Sequence, residues 1–250
     1  LIKIIICAYN EEQNLQKLLT DLTQQLELLQ REFEIIFCLD GTSDNSKTII
    51  SIFSQKYKIT ILPESNKRGL GIAYKKIFKY LLENSLEEDL IISLDADNTH
   101  NPKQISSMIE YFEENKLELL IASRFFEKSY ISSFPIYRQL ISKSTSIILK
   151  NLFNIKNINQ QDVLDYTSGY RIYSHKIIKK LYEKYQDNFI CEPEFTYTCE
   201  ILIKISKLTN QIGEIAIHYD YHKKIGKSKM RIIQNLIRLI AMIINLKISN

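Results

Sequence analysis

Over residues 2–122 the chain alternates without interruption between short apolar runs and amphipathic helical stretches, and few architectures accept that rhythm. Residues 2–8 (IKIIICA), Glu34–Leu39, Ile59–Leu62, the run Leu90, Ile91, Ile92 and Leu94, and Glu118–Ala122 read as buried strands, rich in β-branched residues. Between them Leu15, Leu18, Leu19, Leu22, Leu26 and Leu29 recur at helical spacing, and Ile49, Ile50 and Phe53 mark a second helix. A third helix runs from about Ile72 to Leu82, and a fourth, Lys103–Asn115, carries Ile105, Met108, Ile109 and Phe112 on one side. Asn10 is placed to cap the first helix, with Glu11 and Glu12 complementing its positive end. Such alternation predicts an α/β fold built on a parallel, doubly wound sheet. Ligands in these sheets bind beyond the carboxyl ends of the strands. Four polar clusters fall there: Tyr9–Glu12, Asp40–Asp44, Lys67–Gly71 and Asp95–Asp97. Chance can place one; four together point to a nucleotide-type site.

The sharpest of the four is LIISLDADNTHNP, where a strand ends in two aspartates separated by one small residue, Ala96. Period-two geometry puts Asp95 and Asp97 on one side of the chain. Two carboxylates so close repel unless a cation sits between them, and hard ions such as Mg²⁺ take oxygen ligands of this kind while sharing a substrate's phosphates. Taken alone, the motif reads equally well as an Asx turn after a strand.

Beyond Ser123 the rhythm breaks. Pro135–Arg138 opens a helix through Leu140, Ile141, Ile147, Ile148 and Leu152, and DYTSGYRIYS (Asp165–Ser174) follows. Helices are expected near Lys176–Tyr185 and Glu194–Lys207, with a strand at Ile212–Tyr219. The terminal stretch Met230–Ile248 is helical and mostly Ile, Leu and Met, with Arg231, Arg238 and Asn245 on one stripe. That is too polar to span a bilayer but suits a helix lying on one, or one docked on a core. The expected organisation is a main domain over residues 1–229 and an amphipathic segment over 230–250.

With 250 residues, 45% of them hydrophobic, the chain can bury a full core. A formal charge of +4 is too weak to indicate nucleic acid, so none is expected as a partner. The late cluster Lys223, Lys224, Lys227, Lys229 and Arg231 suits an anionic substrate or an acidic membrane surface, or a solvated loop. Four cysteines without a CxxC pair imply a reducing compartment and no structural zinc, and His218 and His222 lack the cysteines of a finger. Glu11 and Glu12 interrupt the first apolar run too soon for a signal peptide.

GLGIAY holds only half a dinucleotide fingerprint, with Tyr74 at the third glycine position, and there is no P-loop, GxSxG or HExxH. CAYNEE is also unlike the glycine-rich opening of sugar nucleotidyltransferases. CAYNEEQNL, LDGTSDNS, NKRGLG, DADNTHNP, ASRF, RQLIS, DYTSGYR and IGKSK, however, occur in the order seen in family 2 glycosyltransferases of the GT-A fold. The chain most resembles their polyprenyl-phosphate branch, typified by dolichol-phosphate mannose synthases, from Ile2 to about Arg231.

The resemblance implies a GT-A, Rossmann-like sheet, mostly parallel and flanked by helices, with C-terminal amphipathic helices. Ala8, Tyr9 and Glu11 would border the nucleotide, Asp40 would meet its base or ribose, and Lys67 and Gly71 would lie near the donor. Asp95 and Asp97, flanking Ala96, would hold Mg²⁺ or Mn²⁺ on the diphosphate, with Thr99 nearby. Arg124, Arg138 and Ser142 would clamp the acceptor phosphate, and Lys229 would face the donor phosphates. Asp165, Ser168 and Arg171 would shape the pocket floor. Three positions depart from the pattern: Leu39 replaces the first aspartate of a usual pair, Thr99 stands for glutamine or serine, and Lys223 replaces an arginine.

The implied activity is inverting transfer of a hexose from a GDP-mannose or UDP-glucose type donor to a polyprenyl phosphate. Its place is the cytoplasmic face of a membrane, bound peripherally unless spanning helices lie outside this chain. Transfer to a glycan hydroxyl would need a carboxylate base, for which Asp165 or Glu192 is available. The QxxRW motif of processive synthases is excluded because the chain has no tryptophan. A non-catalytic nucleotide-sugar-binding protein is the third reading, with Leu39 as its support.

Overall fold

Strand β1 (Ile2–Ala8) is the axis of the molecule, and its alternation divides the core into two layers. Ile2, Ile4, Ile6 and Ala8 pack under helix α1 (Glu12–Leu28), while Ile5 and Cys7 face α3 (Leu70–Asn84) on the other side. The computed structural model describes residues 1–64, 68–226 and 232–248. In chain order the remaining elements are β2 (Phe33–Leu39), α2 (Ser46–Phe53), β3 (Ile59–Leu62), β4 (Leu90–Ser93), α4 (Ile105–Glu114), β5 (Leu119–Ser123) and β6 (Tyr130–Ser132). They continue as α5 (Ile136–Phe153), β7 (Arg171–Ser174), α6 (His175–Tyr185), α7 (Tyr197–Ser206), β8 (Ile212–Ala216), β9 (His218–Asp220) and α8 (Ile232–Ile248).

The main sheet has the order β3-β2-β1-β4-β7-β5-β8. Six strands share one direction and β7 runs against them, antiparallel to both β4 and β5. The fold is therefore α/β with a mostly parallel, mixed sheet. Strand β7 falls beyond the alternating stretch and is what makes the sheet mixed: after β5 the chain passes through β6 and α5 and re-enters between β4 and β5 in the opposite direction. The expected strand over Ile212–Tyr219 is two strands. It breaks at Ile217, whose amide donates to Ser123 O and Ser129 Oγ, both at 3.3 Å, and β9 turns aside to pair with β6.

Helix α1 buries Leu15, Leu18, Leu19, Leu22 and Leu26 completely. Burying each such side chain stabilises the fold by about 1.5–3 kcal/mol before conformational entropy is subtracted. Asn10 does not cap this helix. It adopts φ +52°, and its side chain accepts from the Ser43 amide at 2.8 Å. The amides at the start of the helix are met from the next loop instead: Glu11 N–H by Ser46 Oγ at 3.0 Å and Glu12 N–H by Asp44 Oδ2 at 2.9 Å. Helix α8 packs through Leu239, Met242 and Leu246 onto the layer that holds Leu149, Tyr197 and Ile201. Its Ile233, Ile237, Ile240, Ile244 and Ile248 are exposed. Among the described residues no helix is long and apolar enough to cross a membrane.

Candidate active site

At the carboxyl ends of β1, β2 and β4 lies a cavity of about 470 Å³, and it gathers most of the residues singled out above. Its walls include Ala8, Tyr9, Glu11, Asp40, Asp95, Ala96, Asp97, Arg124, Arg138 and Ser142. Lys67 and Lys229 lie outside the described residues, as do Lys227 and Arg231.

The acidic pair is delivered by a loop, since β4 stops at Ser93. Leu94 anchors the loop in the core, and Asn98 turns it at φ +64°. The Asp95 amide donates to His100 Nδ1 at 3.0 Å, which leaves the proton of the neutral ring on Nε2, 3.7 Å from Asp95 Oδ2. The His100 ring is buried and stacked on Tyr170 at 4.8 Å; burial holds its pKa below the ordinary value despite the nearby carboxylates.

The two carboxylates differ electrostatically. Asp95 keeps 39% of its side chain open to the cavity. Enough protein nevertheless surrounds it that burial, aided by Asp97, pushes its pKa up. At Asp97 burial also pushes upward, but the Lys224 ammonium and the Thr99 hydroxyl outweigh it and hold the carboxyl below its usual range. Oδ1 accepts from Thr99 Oγ1 at 2.6 Å and from Thr99 N–H at 3.2 Å, and Oδ2 accepts from Lys224 Nζ at 2.5 Å. Thr99 thus orients Asp97.

At the β2 end, Asp40 accepts from the Gly69 amide through both oxygens, at 3.1 and 3.0 Å. Gly69 has φ +139°, and a Cβ there would lie 2.3 Å from Pro193 O, so only glycine joins the two segments so closely. Gly71, expected near the donor, is a packing residue instead. Its amide donates to Pro193 O at 2.9 Å, and a Cβ would fall 1.9 Å from Glu192 O. Arg68 lines the cavity and lies over the Tyr9 ring, 6.0 Å from its centroid. Leu39 is buried in the core beneath α1.

The third group follows β5. Arg124 forms a two-pronged pair with Asp165, Nε to Oδ2 and Nη2 to Oδ1, each 2.8 Å, and its amide donates to Oδ2 at 3.0 Å. Asp165 is fully buried and accepts from the Thr167 and Ser168 amides as well, both at 3.0 Å. Burial alone would raise its pKa; the guanidinium and the amides overcome that and hold it low. Arg124 Nη2 also donates to Thr167 Oγ1 at 2.6 Å, and that hydroxyl meets Ser142 Oγ at 2.6 Å. Arg138 on α5 donates to the Tyr221 hydroxyl at 3.0 Å. Phe134, Tyr219 and Tyr221 pack edge to face and tilted between the two guanidiniums.

Asp165, Ser168 and Arg171 lie one layer below the cavity floor and do not line it. Ser168 Oγ donates to Ala122 O at 2.7 Å, and the buried Arg171 guanidinium donates to Thr198 O and Tyr166 O. Neither carboxylate considered as a base reaches the cavity. Asp165 is saturated by donors, and Glu192 accepts from Thr196 Oγ1 at 2.8 Å away from the wall. Beneath Asp165, Glu214 on β8 accepts from the Leu164 and Asp165 amides at 2.9 and 3.0 Å.

Four contributors escaped the sequence reading as individual residues: Lys224, Arg68, His100 and Asn14. Asn14 carried a signal, since it falls on the same stripe of α1 as Leu18 and Leu22, where a polar side chain must find buried partners. It finds them in Glu11, Ile225 and Asn98. Lys224 carried only the shared signal of the late basic cluster. Lys223, at the family's arginine position, does not line the cavity, whereas Lys224 does.

The model of the family described as glycosyl transferase family 2 matches residues 3–182. A dolichol-phosphate mannosyltransferase of Pyrococcus furiosus is 29% identical over 147 residues, 59% of this chain and 40% of that protein, so this chain matches only about two-fifths of that relative's length. An undecaprenyl-phosphate mannosyltransferase of Micrococcus luteus is 25% identical, over 76% of this chain and 71% of the relative. In fold, glucosyl-3-phosphoglycerate synthase of Mycobacterium tuberculosis, crystallised with Mn²⁺, UDP-glucose and phosphoglyceric acid, superposes with a TM-score of 0.67. That match covers 98% of this chain and 78% of the synthase at 14% identity, a likeness of GT-A architecture alone. With the family model spanning most of the chain, this protein belongs to glycosyl transferase family 2.

Proposed function

We propose that this family 2 glycosyltransferase moves a hexose from a nucleoside diphosphate sugar to a polyprenyl phosphate at the cytoplasmic face of a membrane, inverting the anomeric carbon. The observation that carries the reading is the continuity of one cavity. It runs from the acidic pair, past Arg124 and Arg138, to a wall built by Ile141 and Thr145 of α5 and Ile232, Leu236 and Leu239 of α8. Both helices also expose apolar side chains, including Leu140, Ile147 and Ile148 on α5 and Ile237 and Ile240 on α8. Lys247 Nζ ties their ends together by donating to Leu152 O at 2.9 Å. An amphiphile whose head is an anion and whose tail is hydrocarbon matches such a path, and the helices' apolar faces suit an interfacial position.

The donor set at the acidic end suits Mg²⁺ or Mn²⁺: two carboxylates, hard oxygen ligands, one of them with no ion pair nearer than 3.7 Å among the described residues. Asp95 and Asp97 would hold the ion, which when bound neutralises charge developing on the departing diphosphate. A lipid phosphate is already anionic near neutral pH, its second pKa being about 6. It therefore needs orientation and no general base. Arg124 is pre-aimed by Asp165, and Arg138 is steadied by Tyr221 and Phe134. A hydroxyl acceptor would require a carboxylate base, and neither Asp165 nor Glu192 lines the cavity to serve as one; the burial of Leu39 explains its apolar character by packing.

The test is turnover by the purified protein with each labelled nucleotide sugar and three competing acceptors: polyprenyl phosphate, 3-phosphoglycerate and a free glycan. Preferential labelling of the lipid phosphate supports the reading. Exclusive labelling of either alternative overturns the acceptor, and donor binding without transfer to any of the three favours a non-catalytic protein.

A further inference from the structure

The acidic pair already has a cation beside it, and the chain supplies it. Lys224 Nζ and Asp97 Oδ2 are 2.5 Å apart, with only 14% of either side chain exposed. Thr99 takes the other Asp97 oxygen. The lysine is aimed by a built segment. Ile225 N–H donates to Asn14 Oδ1 and Asn14 Nδ2 donates back to Ile225 O, both at 3.0 Å, and Asn14 is itself buried. Asn98 Nδ2 donates to Asn14 O at 2.9 Å. One buried asparagine therefore fixes both the acidic loop and the segment that carries the ammonium.

We propose that Lys224 is a resident counter-ion that competes with the divalent metal for Asp97 and transfers to the donor diphosphate when the nucleotide sugar arrives. The proposal rests on the metal-dependent reading above. An ammonium and a divalent ion repel strongly at one carboxylate oxygen, so the metal must displace the lysine to use Asp97 fully. A diphosphate offers the displaced ammonium an anion of equal quality in the same cavity, which makes metal and donor bind with positive linkage. Without donor, the site holds metal weakly.

The experiment is calorimetric titration of wild-type protein and Lys224→Met, first with Mn²⁺ alone, then with UDP and GDP in turn at saturating Mn²⁺. Thermal melts verify folding. Mn²⁺ alone should bind Lys224→Met about tenfold tighter or more, because no charge-assisted bond has to be broken. The better-bound nucleoside diphosphate should bind that variant more weakly. A lysine serving only the architecture would weaken both. Lys224→Arg, which keeps the charge, should hold Mn²⁺ within about threefold of wild type. If wild type binds Mn²⁺ and Lys224→Met binds it no tighter, the inference falls while the proposed function stands. If neither protein binds Mn²⁺ either alone or with a nucleoside diphosphate present, the metal-dependent reading falls with it.

Discussion

Replacing Asp165 with asparagine removes the charge that balances Arg124 while leaving the side chain's size almost unchanged. In the native fold that carboxylate is fully buried and receives six hydrogen bonds, three from Arg124, two from the Thr167 amide and hydroxyl, and one from the Ser168 amide. Arg124 is itself 10% exposed, so its guanidinium would be left nearly dry and unpaired. Breaking a buried pair from one side costs about 3–5 kcal/mol, against a total stability of about 5–15 kcal/mol for an ordinary domain. For a chain of this size that corresponds to a fall in Tm of about 6–20 °C, measured by circular dichroism at neutral pH. Replacing both partners together, as in Arg124→Met with Asp165→Leu, should recover part of the loss, because the unpaired charge is gone. The pH dependence has a definite sign. The folded pKa of Asp165 is depressed, so the pair's contribution is complete above the unfolded value of about 3.9 and fades as pH falls through the folded value. Asp165→Asn should therefore flatten the acid limb of the stability curve. A variant melting within about 2 °C of wild type would refute the claim that this ion pair frames the arginine site.

Three further outcomes follow from the same geometry. Glu214 is pushed up to about 7, chiefly by burial, so the folded protein holds a proton there that the unfolded chain has released. Stability should fall as pH rises from about 5 to 7, a tenfold tighter hold on that proton being worth about 1.4 kcal/mol, and Glu214→Gln should remove the slope in urea titrations. Arg138→Ala should raise the KM for polyprenyl phosphate about tenfold or more while leaving donor affinity unchanged, since it deletes one charge-assisted contact to the acceptor alone. Ile237→Glu with Ile240→Glu, both more than half exposed, should abolish co-sedimentation with anionic vesicles without changing the melting temperature.

Much of this architecture was legible in the residues because the signals were local. The β1 run and the α1 leucines announce themselves by period, and a parallel sheet then fixes where polar loops must converge. What the sequence hid depends on partners distant along the chain. Strand β7 sits in the DYTSGYRIYS run, where no strand is expected from sequence, and its place between β4 and β5, antiparallel to both, depends on those distant partners. The Asn10 cap failed because Asp44 and Ser46, more than thirty residues away, reached the helix first. Gly69 and Gly71 share a motif, yet one answers a positive φ and the other a backbone 1.9 Å from its absent Cβ. Lys224 is one of several lysines in a basic stretch, and nothing in its spacing separates it from Lys223.

The central claim is that Asp95 and Asp97 bring a metal to a donor diphosphate so that a lipid phosphate can displace it. Its most direct measurement is initial-rate transfer from labelled nucleotide sugar to polyprenyl phosphate, in Mn²⁺ and in excess chelator, by wild type and by Asp97→Ala. Transfer should require the metal and fall by a factor on the order of a thousand or more without Asp97. Equal rates with and without chelator, or an Asp97→Ala enzyme as fast as wild type, would contradict the account.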